Sequence, residues 1–375
     1  MNPSLLFVAS ALFLWGFGEG MFFNFVPIYL ENEFLLDQQQ IGLVLGVFGL
    51  SMAVTHMPGG HLADRIGRRP LLIAAWMVGL LSTLGMGLAL RLPFFLIGLF
   101  GYGLTAFVSS PLSSYVTAGR GQWSVGTALS LTTATFNLGM ALGPVTGGWI
   151  GEHYGMRTSF LIAAGVFVVS TLCIVFIKSQ PIDNHDPQAP PINLMSNQRF
   201  LAFLTVVAFA VFAMYIAQPL TPNYLEGVRG LSLSETGLIF AAGALGNSLI
   251  AIGMSRVKPR IGFPLAQLFV ALFALLVWKG ASLPVFALGY FLLGGFRAAR
   301  PLALAQARDL VHDSQMGLTY GTMETVNAVI FILTPPLAGF LFGIEPSVVY
   351  PLAIALVAVS IVISWIFSPG KQKYA

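Results

Sequence analysis

A chain of 375 residues that is 56% hydrophobic and only 9% charged cannot cover a water-soluble surface, since soluble domains carry roughly 25% charged residues. The formal net charge of +4 does not point to nucleic acid, because the basic residues lie in short clusters between apolar runs, as loops flanking membrane helices do. The single cysteine, Cys173, excludes a disulfide framework within the chain, the five scattered histidines offer no metal site, and no Walker motif offers ATP drive. What remains is an all-α integral membrane protein without cofactor or enzymatic centre.

A spanning helix needs about 20 mostly apolar residues. Twelve stretches satisfy that rule, near 4–30, 38–58, 70–90, 93–117, 124–149, 158–178, 200–225, 233–255, 262–280, 283–306, 316–341 and 346–367; they are numbered spans 1 to 12 below. The first lacks the basic leader of a signal peptide and its apolar run is too long for one, so it is expected to stay as a helix. One connector is long and polar, "KSQPIDNHDPQAPPINLMSNQR" at 178–199, and it reads as a surface linker. The expected domains are 1–178 and 200–375, each a six-helix bundle, joined by the linker 179–199. An even number of spans puts both termini on one side. Twelve of the 18 basic residues fall in segments on that side, and four (Arg91, Arg157, Arg229 and Lys279) fall on the other. Positive loops stay in the cytoplasm, so both termini are expected there, in a multi-pass protein of the cell membrane.

The halves repeat. Shifted by 195 residues, "PIYLE" at 27–31 falls on "PNYLE" at 222–226, Gly42-Leu43 on Gly237-Leu238, and Arg65-Ile66-Gly67 on Arg260-Ile261-Gly262. This is the mark of a parallel duplication, with an axis along the membrane normal.

Between spans 2 and 3 the oily chain places a charged knot, Gly60-His61-Leu62-Ala63-Asp64-Arg65-Ile66-Gly67-Arg68-Arg69. Three arginines hold that corner in the cytoplasm, because moving them through the bilayer is expensive. Asp64 can pair with an arginine or with a helix N-terminus. The knot fits G-x-L-A-D-R-x-G-R-R at every defined position. With six plus six spans and a parallel repeat, the chain resembles the major facilitator superfamily over essentially its whole length. The resemblance implies alternating access, a cavity lined by spans 1, 4, 7 and 10 and flanked by 2, 5, 8 and 11, and a monomer. It also implies that Gly60, Asp64, Arg65, Gly67, Arg68, Arg69 and the second-half Arg260 gate the cytoplasmic mouth. In that second copy Pro259 stands where Asp64 would map, so the latch is expected to be lopsided. Span 5 carries a second motif, Gly139-x-x-x-Gly143-Pro144-x-x-Gly147-Gly148. Small residues at this spacing let helices approach closely, and the pattern resembles one associated with antiporters. The arginine that drug–proton exporters often carry in span 4 is absent near Ile97, and so are the sugar-porter signatures.

Four ionisable residues fall well inside spans: Glu19, Arg297, Arg300 and Glu324. Charges at that depth are costly unless paired or hydrated, which makes them functional candidates. Glu19 and Glu324 are the proton-coupling candidates. Arg297 and Arg300 share a helix face; they hold an anionic group together, or each pairs with Glu19 or Glu324. For Glu324 the alternatives are a proton site and a salt bridge to Arg297. Trp15, Asn24, Tyr102, Asn137, Tyr215, Gln218, Asn247 and Asn327 complete the candidate substrate wall. The expected activity is secondary active transport of a small-molecule substrate through the lipid bilayer, as proton-coupled efflux. Uptake of a small organic anion by proton symport is the first alternative, and an uncoupled lipid flippase or transporter-like receptor the second.

Overall fold

A computed structural model describes residues 3–180, 197–311 and 316–367; the linker at 181–196 and the C-terminal Lys371 and Lys373 lie outside the described residues. Every predicted span is a helix. Span 1 is α1 (Pro3–Phe22), a 3-10 turn (Phe23–Phe25) and α2 (Val26–Phe34); span 2 is α3 (Gln38–Ile66) and span 3 is α4 (Arg68–Leu88). Span 4 is α5 (Leu92–Leu104), a 3-10 turn (Thr105–Val108) and α6 (Ser109–Gly119); spans 5 and 6 are α7 (Val125–Tyr154) and α8 (Met156–Val175). Span 7 is α9 (Gln198–Tyr215), followed by α10 (Thr221–Asn223) and a π turn (Tyr224–Val228). Spans 8 and 9 are α11 (Leu233–Met254) and α12 (Pro259–Lys279), span 10 is α13 (Leu283–Leu292) with α14 (Gly294–Arg308), and spans 11 and 12 are α15 (Met316–Ile344) and α16 (Val349–Ile366). Among the described residues, ten of the twelve are long and apolar enough to cross a membrane on length and composition alone. The others are span 5, rich in Gly and Thr, and span 10, split at Leu293 and carrying three arginines. The fold is two six-helix bundles, as expected. Span 7 departs from its expected continuous run: it breaks after Tyr215, where "QPLTP" places two prolines that cannot continue the ladder.

The chain forms two compact units. The first holds Met1–Leu36, Val47–His185 and Gly230–Ala241; the second holds Asp37–Gly46, Asp186–Arg229 and Ala242–Ala375. The starts of spans 2 and 8 are thus exchanged, and both carry the same device. Asp37 and Gln40 form a capping box, with Gln40 N–H donating to Asp37 Oδ1 at 2.8 Å and Asp37 N–H to Gln40 Oε1 at 3.0 Å. Ser232 and Glu235 form its counterpart, with bonds of 2.9 and 3.3 Å. Each box satisfies two helix-start N–H groups that have no partner within the helix. The repeated Gly42 and Gly237 lie just inside these starts. A side chain on Gly42 would strike the carbonyl of Pro335, and one on Gly237 that of Pro144. The shared glycines therefore mark close backbone approach in each unit.

The third repeated triplet keeps its letters but not its geometry. Gly67 has φ 89° and forms the turn between α3 and α4, a conformation that glycine adopts at little cost. Gly262 sits inside the first turn of α12, because Pro259 starts that helix early, and it packs against Leu302. Two arginines, one in each unit, act alike. Arg157 donates to the carbonyls of Gly87 (2.8 Å) and Leu88 (3.0 Å), and Arg229 to those of Val277 (3.2 Å) and Trp278. They satisfy the last carbonyls of spans 3 and 9, where a helix end favours a cation.

In the first unit, Glu152 at the end of α7 accepts the Ser234 N–H at 2.9 Å. The Ser234 side chain first, then this backbone bond and the Ser232 side chain, hold its carboxyl below the usual carboxylate range. A carboxyl lowered on folding stabilises above its unfolded value, and the gain fades as pH falls through the folded one. The thermal stability that wild type holds over Glu152→Gln should therefore be present near pH 7 and fade only as pH falls below the ordinary carboxylate range. Parallel melting curves of the two proteins across that range check it.

Candidate functional site

Glu19 lies on α1, one turn after Trp15. The Trp15 indole N–H donates to Glu19 Oε2 at 3.0 Å, and the Tyr102 hydroxyl from span 4 donates to the same oxygen at 2.8 Å. Trp15 and Tyr102 are buried, and Glu19 is half-buried. Three of the expected site residues are therefore one cluster in the first unit. Its frame comes from residues that span spacing does not reveal. Trp15 stacks on Phe167 (ring centroids 4.3 Å, interplanar 10°) and lies against Trp76 at 5.0 Å. Trp76 donates to Ser170 Oγ at 2.8 Å, and Ser170 donates to the Ala11 carbonyl at 2.7 Å. The only sequence signal for this frame is a polar or aromatic residue inside an apolar run. Gly79 makes room for the Trp15 ring, and Gly18 for Phe167.

The span 5 motif stands behind this cluster. Gly139, Gly143 and Gly147 lie against the α1 backbone near Phe13, Phe17 and Met21; Gly16 and Gly20 reciprocate against Phe136 and Pro144. Gly148 faces the other way, toward Leu233 and Gly237. Pro144 surrenders one helical hydrogen bond and presents its ring to Gly20. The motif is a close-packed seam that fixes the helix bearing Glu19.

In the second unit, Arg300 Nε donates to Glu324 Oε1 at 2.7 Å, with side chains 60% and 42% exposed. Arg300, not Arg297, is the partner of Glu324: the two arginines share a face, and the rotation of α14 against α15 chooses between them. Arg297 instead lies within electrostatic reach of Tyr215. Tyr215 is half-buried between Phe296 and Phe331. Asn327 Oδ1 is buried with no partner among the described residues. Gln218 spends its amide on the Met214 carbonyl at 2.7 Å. Asn24, Asn137 and Asn247 are half-buried on the 3-10 turn of span 1, on α7 and on α11.

At the knot, the side chains of Gly60, Asp64 and Arg65 lie outside the described residues, although α3 runs through them. Arg69 donates to the Val175 carbonyl at 2.8 Å and Arg68 to Gln180 Oε1 at 3.3 Å. Gln180 reaches the Tyr115 carbonyl at 3.0 Å, and the Tyr115 hydroxyl donates to the Lys178 carbonyl at 2.7 Å. The corner is tied to the ends of spans 4 and 6. Arg260 lies over the Trp365 ring, 5.9 Å from its centroid.

The description of the Major Facilitator Superfamily matches residues 8–264. The multi-drug resistance efflux pump PmrA of Streptococcus pneumoniae serotype 4 is 28% identical over 306 residues, covering 75% of this chain and 74% of that protein. The multidrug resistance protein MdtG of Escherichia fergusonii is 29% identical over 270 residues, 67% of this chain and 64% of that one. A crystal structure of the nucleoside transporter NupG aligns with TM-score 0.81 at 12% identity over 97% of this chain and 98% of that one, which speaks for the fold alone. The knot fits its motif at every defined position, the two halves repeat in sequence, and the match runs through well over half of the residues: the chain belongs to the major facilitator superfamily.

Proposed function

We propose that this membrane transporter exports a small organic molecule across the cell membrane by alternating access, driven by proton entry, with Glu19 as the proton carrier and both termini in the cytoplasm. The observation that carries the reading is the convergence of the Trp15 and Tyr102 donors on one oxygen of a carboxyl inside a spanning helix. A tyrosine hydroxyl both donates and accepts, whereas an indole only donates. Tyr102 can therefore turn with the proton while Trp15 keeps the carboxyl in place. Aromatic faces beside an acid suit a flat, amphipathic substrate. The span 5 seam and the efflux relatives support export. The bodies that move are 1–178 and 200–375, each acting as a monomer's half.

Everted vesicles energised with an acid interior test this directly. Ethidium, a flat organic cation, should accumulate and leak away on addition of a protonophore. Accumulation that ignores the protonophore rules out proton drive.

The knot supplies the gate in this proposal. With Arg68 and Arg69 tied to span 6, Asp64 is the member that lets go. Asp64→Asn should lower turnover by about ten-fold or more, equivalent to ~1.4 kcal/mol on the barrier, while substrate affinity stays close to wild type. A loss confined to affinity defeats this role.

A further inference from the structure

The duplication that relates the halves also aligns α1 with α9: shifted by 195 residues, Pro3, where α1 begins, falls on Gln198, where α9 begins. Within its own unit α1 packs on α8, and α9 packs on α16. In the first unit the exposed edge of that pair is closed by rings, Phe7 standing against Phe176 at a centroid distance of 6.1 Å. In the second unit Ala202 stands where Phe7 would map, and the edge is open. A cavity of about 430 Å³ lies there, lined by Ala202, Thr205, Val206 and Phe209 of α9 and by Ile363 and Phe367 of α16. The Thr205 hydroxyl donates to the Leu201 carbonyl at 3.0 Å, so its proton is taken within α9 and the groove is apolar along its length. The same shift puts Arg199 in the place of Ser4. Arg199 is exposed, and at i, i+3, i+7 and i+10 it shares one helical stripe with Ala202, Val206 and Phe209. From Arg199 to Phe209 that stripe rises about 15 Å, half of the ~30 Å hydrocarbon core and thus the depth of one leaflet. At the end of α16 Trp365 is exposed beneath Arg260, a pairing that suits the level of the lipid headgroups.

We propose that this groove is a binding site for an anionic phospholipid, with one acyl chain lying between α9 and α16 and the headgroup phosphate meeting Arg199 at its mouth. The chain fills in the second unit the edge that Phe7 and Phe176 close in the first. An acyl chain has the length of the groove and asks no donor of it. A guanidinium offers five donors, and a phosphate takes two of them in parallel; a zwitterionic headgroup brings its own cation to the same phosphate and gains less. The orientation proposed above makes this the cytoplasmic leaflet. The site itself depends neither on the direction of transport nor on Glu19.

Native mass spectrometry of the full-length protein, released from detergent after titration with dioleoylphosphatidylglycerol or dioleoylphosphatidylcholine, tests the site. Wild type should retain phosphatidylglycerol with an apparent Kd about five-fold below that of phosphatidylcholine, the gain expected from one cation at the membrane surface. Arg199→Gln should erase that preference. Ala202→Phe copies the first unit and should weaken both lipids at least about ten-fold, as when two or more methylenes lose their burial; because Ala202 is exposed, the variant should fold. Ile252→Phe places the same ring on the exposed face of α11 and should bind as wild type does. Glu19→Gln should also bind as wild type, which separates failure of this site from failure of the proton role. If Ala202→Phe does not fold, Arg199→Gln still decides. Undiminished binding by Ala202→Phe, or a preference for phosphatidylglycerol that survives Arg199→Gln, overturns the proposal. Displacement of phosphatidylglycerol by inorganic phosphate overturns it as well, since Arg199 would then take a soluble anion without any need of the groove.

Discussion

Gly147→Leu is expected to give no folded protein, and Gly147→Ala to lose about 3 kcal/mol or more of stability. A Cβ at this position would meet the backbone of Met21 rather than the movable end of a side chain, so α1 and α7 would have to part. The Gly147 carbonyl also accepts the buried Ser159 hydroxyl of span 6 at 2.9 Å, and a shifted backbone would break that bond too. In lipid, helices gain nothing from hiding apolar surface from one another, so close packing and such bonds are what hold them. Relaxation along the seam is blocked, because Gly139 and Gly143 stand equally close to Phe13 and Phe17. Gly165 on α8 is the control: nothing lies within 4 Å of a Cβ there, and Gly165→Ala should be neutral or gain up to ~1 kcal/mol from helix propensity. Apparent melting temperature and monodisperse yield in detergent separate the three variants. A Gly147→Ala protein as stable as Gly165→Ala would show that the seam is not tight.

The contrast between those two glycines shows where sequence stops speaking. The spans were legible because a bilayer demands about 20 apolar residues per crossing, and the knot because its spacing is specific. The seam was legible as a stripe of small residues, but not which helix lay opposite each glycine. The capping boxes were readable from Asp37-x-x-Gln40 and Ser232-x-x-Glu235, a spacing with a local mechanism. The choice of Arg300 over Arg297 was not readable. Residues three apart share a face, and only the rotation of α14 against α15 selects one. Trp76 and Ser170 lie 94 residues apart in sequence, with no local pattern to join them, so the frame around Trp15 emerges only from the fold. The triplet Arg260-Ile261-Gly262 cautions against reading letters alone: one proline placed it inside a helix, where its first-half copy makes a turn.

Glu19→Gln should abolish gradient-driven transport, by at least about 100-fold as when an essential proton acceptor is removed, while leaving a folded protein that still binds substrate. The amide oxygen of glutamine accepts from Trp15 and Tyr102 as the carboxylate does, so the box keeps its shape. What it loses is the ability to take and release a proton. Tyr102→Phe makes the complementary change. It keeps the carboxyl but removes the 2.8 Å donor; a hydrogen bond to a charged group is worth roughly 1.5–3 kcal/mol. Proton-driven transport should therefore survive at a lower rate, because the carboxyl has lost the hydroxyl that donates to its ionised form and accepts from its neutral form. Vesicle assays over a pH series, run on wild type and both variants, read the two effects separately. Full gradient-driven transport by Glu19→Gln would remove Glu19 from the coupling path, and a Tyr102→Phe protein as fast as wild type at every pH would mean that its hydroxyl does not follow the proton.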